Sequence, residues 1–166
     1  MRERRAAREW AVQLLFQLDF NPTDLGTAFG DFWGKKKAST RARTFTESLV
    51  EGVDANRATI DGKIQNYADN WDLKRMAAVD RNIIRLAMYE MLFRDDIPPI
   101  VTINEAVDLA KAFSGFQSGK FVNGILDRAR KDIARPARTP LTPPLSGSPI
   151  NERTRSRPVG KSAEEE

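Results

Sequence analysis

The sequence predicts an all-α fold: one domain of about seven helices over residues 1–134, then a disordered Pro-, Arg- and Ser-rich tail over 135–166. Three observations predict it. Apolar residues recur every three or four positions through most of the first 134 residues, the period of a helix face. Alternation with a period of two is missing, and the most strand-like run, IPPIVTI at 97–103, is too rich in proline for a central strand. After Ile133 the composition changes to RPARTPLTPPLSGSPINERTRSRPVGKSAEEE, which has few large apolar side chains. Such a segment cannot bury enough surface to offset its chain entropy.

The first helix runs from about Glu3 to Phe20, with Ala7, Trp10, Leu14, Leu15 and Leu18 on one face. Asn21-Pro22 ends it and opens the second, Asn21 as N-cap and Pro22 at the first helical position. Leu25, Phe29, Phe32 and Trp33 form that helix's apolar stripe, and GKKK at 34–37 breaks the chain again. A third helix begins near Thr40 and carries Phe45, Leu49 and Val53; Ile60, Ile64, Tyr67 and Ala68 mark a fourth over 57–68, joined to the third or separate from it. Residues 76–94, MAAVDRNIIRLAMYEMLFR, are apolar around most of the circumference. Only Arg85 and Glu90 are charged between Ile83 and Phe93, which marks a central helix packed on several sides. Asp95-Asp96-Ile97-Pro98-Pro99 stops it. Thr102-Ile103-Asn104-Glu105 has the form of a capping box for the next helix, with Val107, Ala110 and Phe113 as its core stripe and Gly115 at its end. Ser118 caps a last helix whose Val122, Ile125, Leu126, Ala129 and Ile133 face inward.

The composition excludes several kinds of chemistry. With no Cys and no His, the chain has no thiolate nucleophile, disulfide, Cys/His zinc site or histidine-based catalytic unit. Asp95-Asp96 are turn formers, and Asp69 near Asp72 comes with neither a phosphate loop nor a base, so no catalytic residue, metal site or cofactor is assigned. No run approaches the roughly 18 apolar residues of a membrane span. The Arg-rich start, RERRAAREWAVQ, carries Glu3 and Glu9 and lacks Ser or Thr, unlike a transit peptide, so a cytoplasmic protein is expected. The net charge is +4, but the tail carries six basic residues against four glutamates and residues 1–134 carry 21 against 19. Placement of charge therefore matters more than its total.

Two placements stand out. SGFQSGKFVNG at 114–124 echoes a phosphate-binding loop, yet its spacing is one residue short of G-x-x-x-x-G-K-S/T, Phe121 replaces the magnesium-binding hydroxyl, and a helix precedes it where a strand is needed. What survives is either a capped helix start with Phe121 in the core, or a helix N-terminus that meets phosphate through Ser118, Gly119 and Lys120 while Phe121 stacks on a base. Arg2, Arg4, Arg5 and Arg8 lie on adjacent parts of the first helix's surface. Guanidinium groups suit phosphates and exposed bases. The two segments read either as a solvated basic face beside a capped helix start or, taken together, as a two-part RNA cradle.

The blocks RRAAREWAVQLLFQLDF, VDRNIIRLAMYEMLFRDDIPP, TINEAVDLAKAF and GKFVNGILD, in this order over about residues 2–133, resemble the NusB family of bacterial transcription antitermination proteins. The resemblance implies a non-enzymatic helical protein that binds the single-stranded boxA element of ribosomal RNA leader transcripts. It implies action with the ribosomal protein NusE, and indirectly with other Nus factors and RNA polymerase, in support of processive transcription of ribosomal RNA operons. By the same resemblance the RNA contacts are Arg2, Arg4, Arg5 and Arg8 with Gln117, Ser118, Lys120 and Phe121, and Tyr67 and Asp80 face NusE. Members often carry an acidic residue where Gln117 stands, which implies stronger RNA affinity here. The tail from Arg135 lies outside the resemblance, and a homodimer is compatible with it. Two other readings are a NusB-like helical module that only binds proteins, and a split RNA-binding domain of an rRNA methyltransferase.

Overall fold

The computed structural model describes residues 2–68 and 72–134; the tail expected to be disordered, and Asp69, lie outside the described residues. Seven α-helices follow one another: α1 (Arg2–Phe20), α2 (Leu25–Trp33), α3 (Thr40–Ala55), α4 (Arg57–Tyr67), α5 (Ala78–Phe93), α6 (Pro99–Phe113) and α7 (Phe116–Ala134), with a 3-10 turn at Leu73–Arg75 ahead of α5. Among the described residues there is no strand, and no helix is long and apolar enough to cross a membrane.

Helix α5 occupies the centre and packs on α1, α3, α4 and α6, as its all-round apolar sequence requires. Ile83, Ile84, Leu86, Ala87 and Met88 are all buried. Leu14 of α1, Leu49 of α3, Ile60 and Ile64 of α4, and Leu126 of α7 close around them with no measurable exposure. Burying one such side chain stabilises the fold by about 1.5–3 kcal/mol. Close approach of α3 and α5 depends on Gly52: a Cβ there would lie 2.1 Å from Cζ of Tyr89, whose ring stacks on Phe93 with centroids 5.6 Å apart.

Several predicted caps belong elsewhere. Helix α2 starts at Leu25, and Asp24 caps it where Asn21-Pro22 was expected to. The Asp24 carboxylate accepts from the Thr27 backbone N–H (2.9 Å) and hydroxyl (2.7 Å). Asn56 separates α3 from α4, its side-chain amide donating to the Gly52 carbonyl (2.8 Å). The expected capping box at 102–105 is not one. Helix α6 already starts at Pro99, whose missing N–H costs nothing at a helix start, so Thr102 sits inside the helix with its hydroxyl free for another partner. Ser118 likewise lies within α7, which starts at Phe116 after Gly115 takes φ +114°. Phe113 is not core either: at 42% exposure it ends a helix whose buried stripe is Thr102, Ile103, Ala106, Leu109 and Ala110.

The two charges between Ile83 and Phe93 of α5 each recruit a buried partner. Glu90, fully buried, accepts two hydrogen bonds from Arg8 of α1 (Nε 2.8 Å, Nη2 3.1 Å) and one from the Thr102 hydroxyl of α6 (2.7 Å). Arg85 donates to Asp61 of α4 through Nε (2.8 Å) and Nη2 (3.0 Å), and to Asp19 of α1 through Nη1 (3.1 Å). Burial alone would raise the Asp19 carboxyl. Hydrogen bonds from Asn82 and Arg81, with the charges of Arg85 and Arg57, outweigh burial and hold it below the usual carboxylate range.

Candidate nucleic-acid interface

The four arginines of α1 line one open groove of about 610 Å³, with Asp96, Val101 and Asn104 on its other side. Their states differ. Arg2 is exposed and makes no ion pair among the described residues. Arg4 lies over the Phe45 ring, 4.6 Å from its centroid, and reaches Asp96 at 3.8 Å. Arg5 is half exposed but gripped by α6: its guanidinium donates to both oxygens of Glu105 and to Asp108 (2.9 Å). The hydrogen bond and charge of Glu105 push the Arg5 guanidinium further up from its already high value. Arg8 is 4% exposed, its charge committed to Glu90 and, at 3.6 Å, to Glu105. The row predicted as one basic surface is therefore a graded series, from free Arg2 to structural Arg8. Spacing alone placed Arg8 beside Arg4 and Arg5; the buried carboxylate on α5 draws it inward.

At the other end of α6 the chain turns at Gly115 into α7. Gln117 and Lys120 are exposed there. Ser118 is half-buried and donates to Asp80 Oδ2 (3.1 Å), so its hydroxyl braces α7 against α5 and does not cap the helix. Phe121, one of two open readings of the sequence, is half-buried and packs on the core. The most exposed aromatic side chain at this corner is Phe116, at 64%. Lys120 Nζ lies 5.5 Å and Lys111 Nζ 5.8 Å from its ring centroid. Sequence reasoning missed Phe116 and Lys111. A signal existed: on a helix Phe116 shares a column with Lys120 and Asn123, a polar face that core residues do not occupy.

Of the two residues expected to face a protein partner, Asp80 is 7% exposed in the first turn of α5, where a carboxylate suits the helix dipole. Its Oδ1 has no hydrogen-bond partner. Tyr67, at the end of α4, donates its hydroxyl to Asp132 of α7 (3.0 Å). Burial first, then that carboxylate, raises the phenol above its ordinary value. The two residues thus brace different ends of α7. No group of three or more Asp or Glu side chains among the described residues could hold a metal ion.

Comparison with known proteins agrees with the architecture. The sequence model of the NusB family matches residues 5–131. The transcription antitermination protein NusB of Syntrophus aciditrophicus is 44% identical over 127 residues, 76% of this chain and 79% of that protein. Among solved structures, T. maritima NusB superposes with a TM-score of 0.71 at 39% identity, covering 78% of this chain and 91% of its own. A chain from the crystal structure of antitermination factors NusB and NusE in complex with dsRNA gives a TM-score of 0.73 at 28% identity, over 80% and 98% of the two chains.

Proposed function

The chain belongs to the NusB family, and from that premise we propose that it binds a single-stranded, boxA-type RNA of ribosomal RNA leader transcripts together with NusE, and so supports processive transcription of rRNA operons. It acts by assembly and not as an enzyme. The observation that carries the RNA reading is the role of α6 as a common spine. At its middle, Glu105 and Asp108 hold Arg5; one turn further on, Lys111 lies against the start of α7. At 1.5 Å per residue, residues 105 and 111 are about 9 Å apart along the axis, close enough for one RNA strand to touch both basic elements.

Each residue has a distinct task in this reading. Arg2 and Arg4 meet phosphates directly, and Arg5 does so by exchanging its carboxylates for them. Arg8 contributes by fixing α1 on the core. Lys120 adds a phosphate contact and the exposed amide of Gln117 a base-edge one, while Ser118 and Phe121 position the first turns of α7. Single strands offer unstacked bases to such a surface. Asp80, on α5, and Tyr67, on α4, are assigned to the NusE side, where they act by holding the two ends of α7 through Ser118 and Asp132. Indirect contact with other Nus factors and RNA polymerase is part of the same reading, and a homodimer of the free protein is compatible with it.

Titration of labelled boxA-like RNA with the full chain, alone and with NusE, tests this. Binding should tighten with NusE and weaken as salt rises, with a log–log slope near −0.7 per phosphate contact. Lys120→Ala should weaken binding and bring that slope toward zero by roughly one contact, without loss of NusE association. Equal binding to scrambled or duplex RNA removes the boxA assignment. No RNA binding by the chain or the pair leaves a module that only binds proteins.

A further inference from the structure

We propose that Phe116 is the base-stacking platform of this RNA face, with Lys111 and Lys120 as the phosphate contacts beside it. The inference rests on the reading above that the chain binds single-stranded RNA, and it assigns the stacking role to a side chain outside the expected set. A Phe that is 64% exposed gains little for the fold, and its column on α7 is otherwise polar. Phe113, 42% exposed, adds apolar surface across the same turn. Phe121, the aromatic of the sequence motif, packs its ring against the core instead.

The surroundings of Phe116 select the ligand. Two ammonium groups lie within 6 Å of its ring centroid, and neither lysine is paired with a carboxylate among the described residues. The position of Lys111 is built in. Its stem crosses Gly119 so closely that a Cβ there would fall 2.7 Å from Lys111 Cγ. A flat apolar face flanked by two uncompensated cations fits a ligand that alternates flat π-faces with anionic links, which is a single-stranded nucleic acid. Exposed cation–π contacts are weak, so an arriving base can take the ring face while the lysines swing to the phosphates on either side. An acidic peptide would satisfy the lysines but does not place a flat ring beside every charge, as a nucleic-acid strand does.

Equilibrium binding of labelled single-stranded boxA-like RNA by the full chain, across a salt series, tests the assignment. Phe116→Ala should weaken binding roughly 5- to 100-fold, the range for losing one base–aromatic stack, and should leave the salt slope unchanged. Phe116→Trp should bind like the parent. In RNAs carrying one abasic site at successive positions, one position should make Phe116→Ala nearly silent. Thermal melting should match the parent for both variants, since the side chain is exposed. Parent-like binding by Phe116→Ala overturns the assignment while leaving the RNA reading intact, as does a loss that couples to no abasic position. Failure of the parent chain to bind RNA both alone and with NusE sinks the reading beneath it.

Discussion

The two ends of the candidate RNA face are built on opposite principles. At the α1 end, three of four arginines already have anionic partners: Arg8 has Glu90, Arg5 has Glu105 and Asp108, and Arg4 has Asp96. At the α6–α7 corner, Lys111 and Lys120 rest against an aromatic ring and no carboxylate. The α1 end shows that a row of arginines is not a measure of charge available to a ligand. What is left for phosphate depends on what the interior and the neighbouring helix have taken first. The corner has fewer cations, and they are uncommitted.

The largest expected effect tests the inner limit of the α1 series. Glu90→Gln leaves the buried Arg8 guanidinium only the more distant Glu105, 3.6 Å away, as a counter-charge, and removing one partner of a buried pair costs about 3–5 kcal/mol. The variant's melting temperature should fall by roughly 10 °C or more, whereas Lys120→Ala should melt like the parent. Equal melting of the two would erase the distinction between the two ends.

A smaller effect of opposite sign probes the middle of the series. Glu105→Gln combined with Asp108→Asn releases Arg5, so RNA should bind several-fold more tightly. The salt slope should steepen by up to one phosphate contact, about 0.7. The half-exposed Arg5–Asp108 pair contributes only about 0–1 kcal/mol, but Glu105 also faces the buried Arg8 at 3.6 Å. A moderate fall in melting temperature, smaller than that of Glu90→Gln, should therefore accompany the release. Weaker RNA binding would mean that the carboxylates orient Arg5 for its ligand and do not compete with it.

The smallest expected effect is none. The hydrogen bond from Arg94 holds the Asp96 carboxyl below its usual range, against slight burial and with help from the charges of Arg94 and Arg4. A carboxyl lowered in the folded state contributes its stabilisation above its unfolded pKa near 3.8 and loses it only as pH falls through the lower folded value. The chain has no histidine to titrate between. RNA affinity should therefore be flat from about pH 5.5 to 7, below the range of an α-amino group. A slope in that interval would show a coupled group that the α1 end does not display.

Much of the fold was legible because helix periodicity is a local signal. The stripes of Leu14, Phe45, Leu49, Ile60, Ile64, Ile84 and Leu126 mark helices whose buried faces the structure confirms. Hydroxyls were less legible. Thr102 and Ser118 each had the right neighbours for a cap, but a side chain on α5 outcompeted the backbone for each: Glu90 for Thr102, Asp80 for Ser118. Such partners lie 12 and 38 residues away, beyond the reach of any local pattern. At the interface, the sequence pointed to both ends but not to the state of each charge. Glu90 was the clue to Arg8, since one carboxylate in an apolar helix needs a cation. Phe116 was hidden because Phe121 sat inside the more familiar motif.

Gly52 carries a consequence for genetics. Only a hydrogen fits between α3 and the Tyr89 ring, and forcing a methyl group into such a contact costs typically 1–3 kcal/mol. Gly52→Ala is thus a rational conditional allele: functional when cool, lost on warming, and altered on α3 where neither half of the RNA face resides. In cells it would switch the whole protein off by temperature and let the loss of the factor be timed, which no substitution in the binding surface can do.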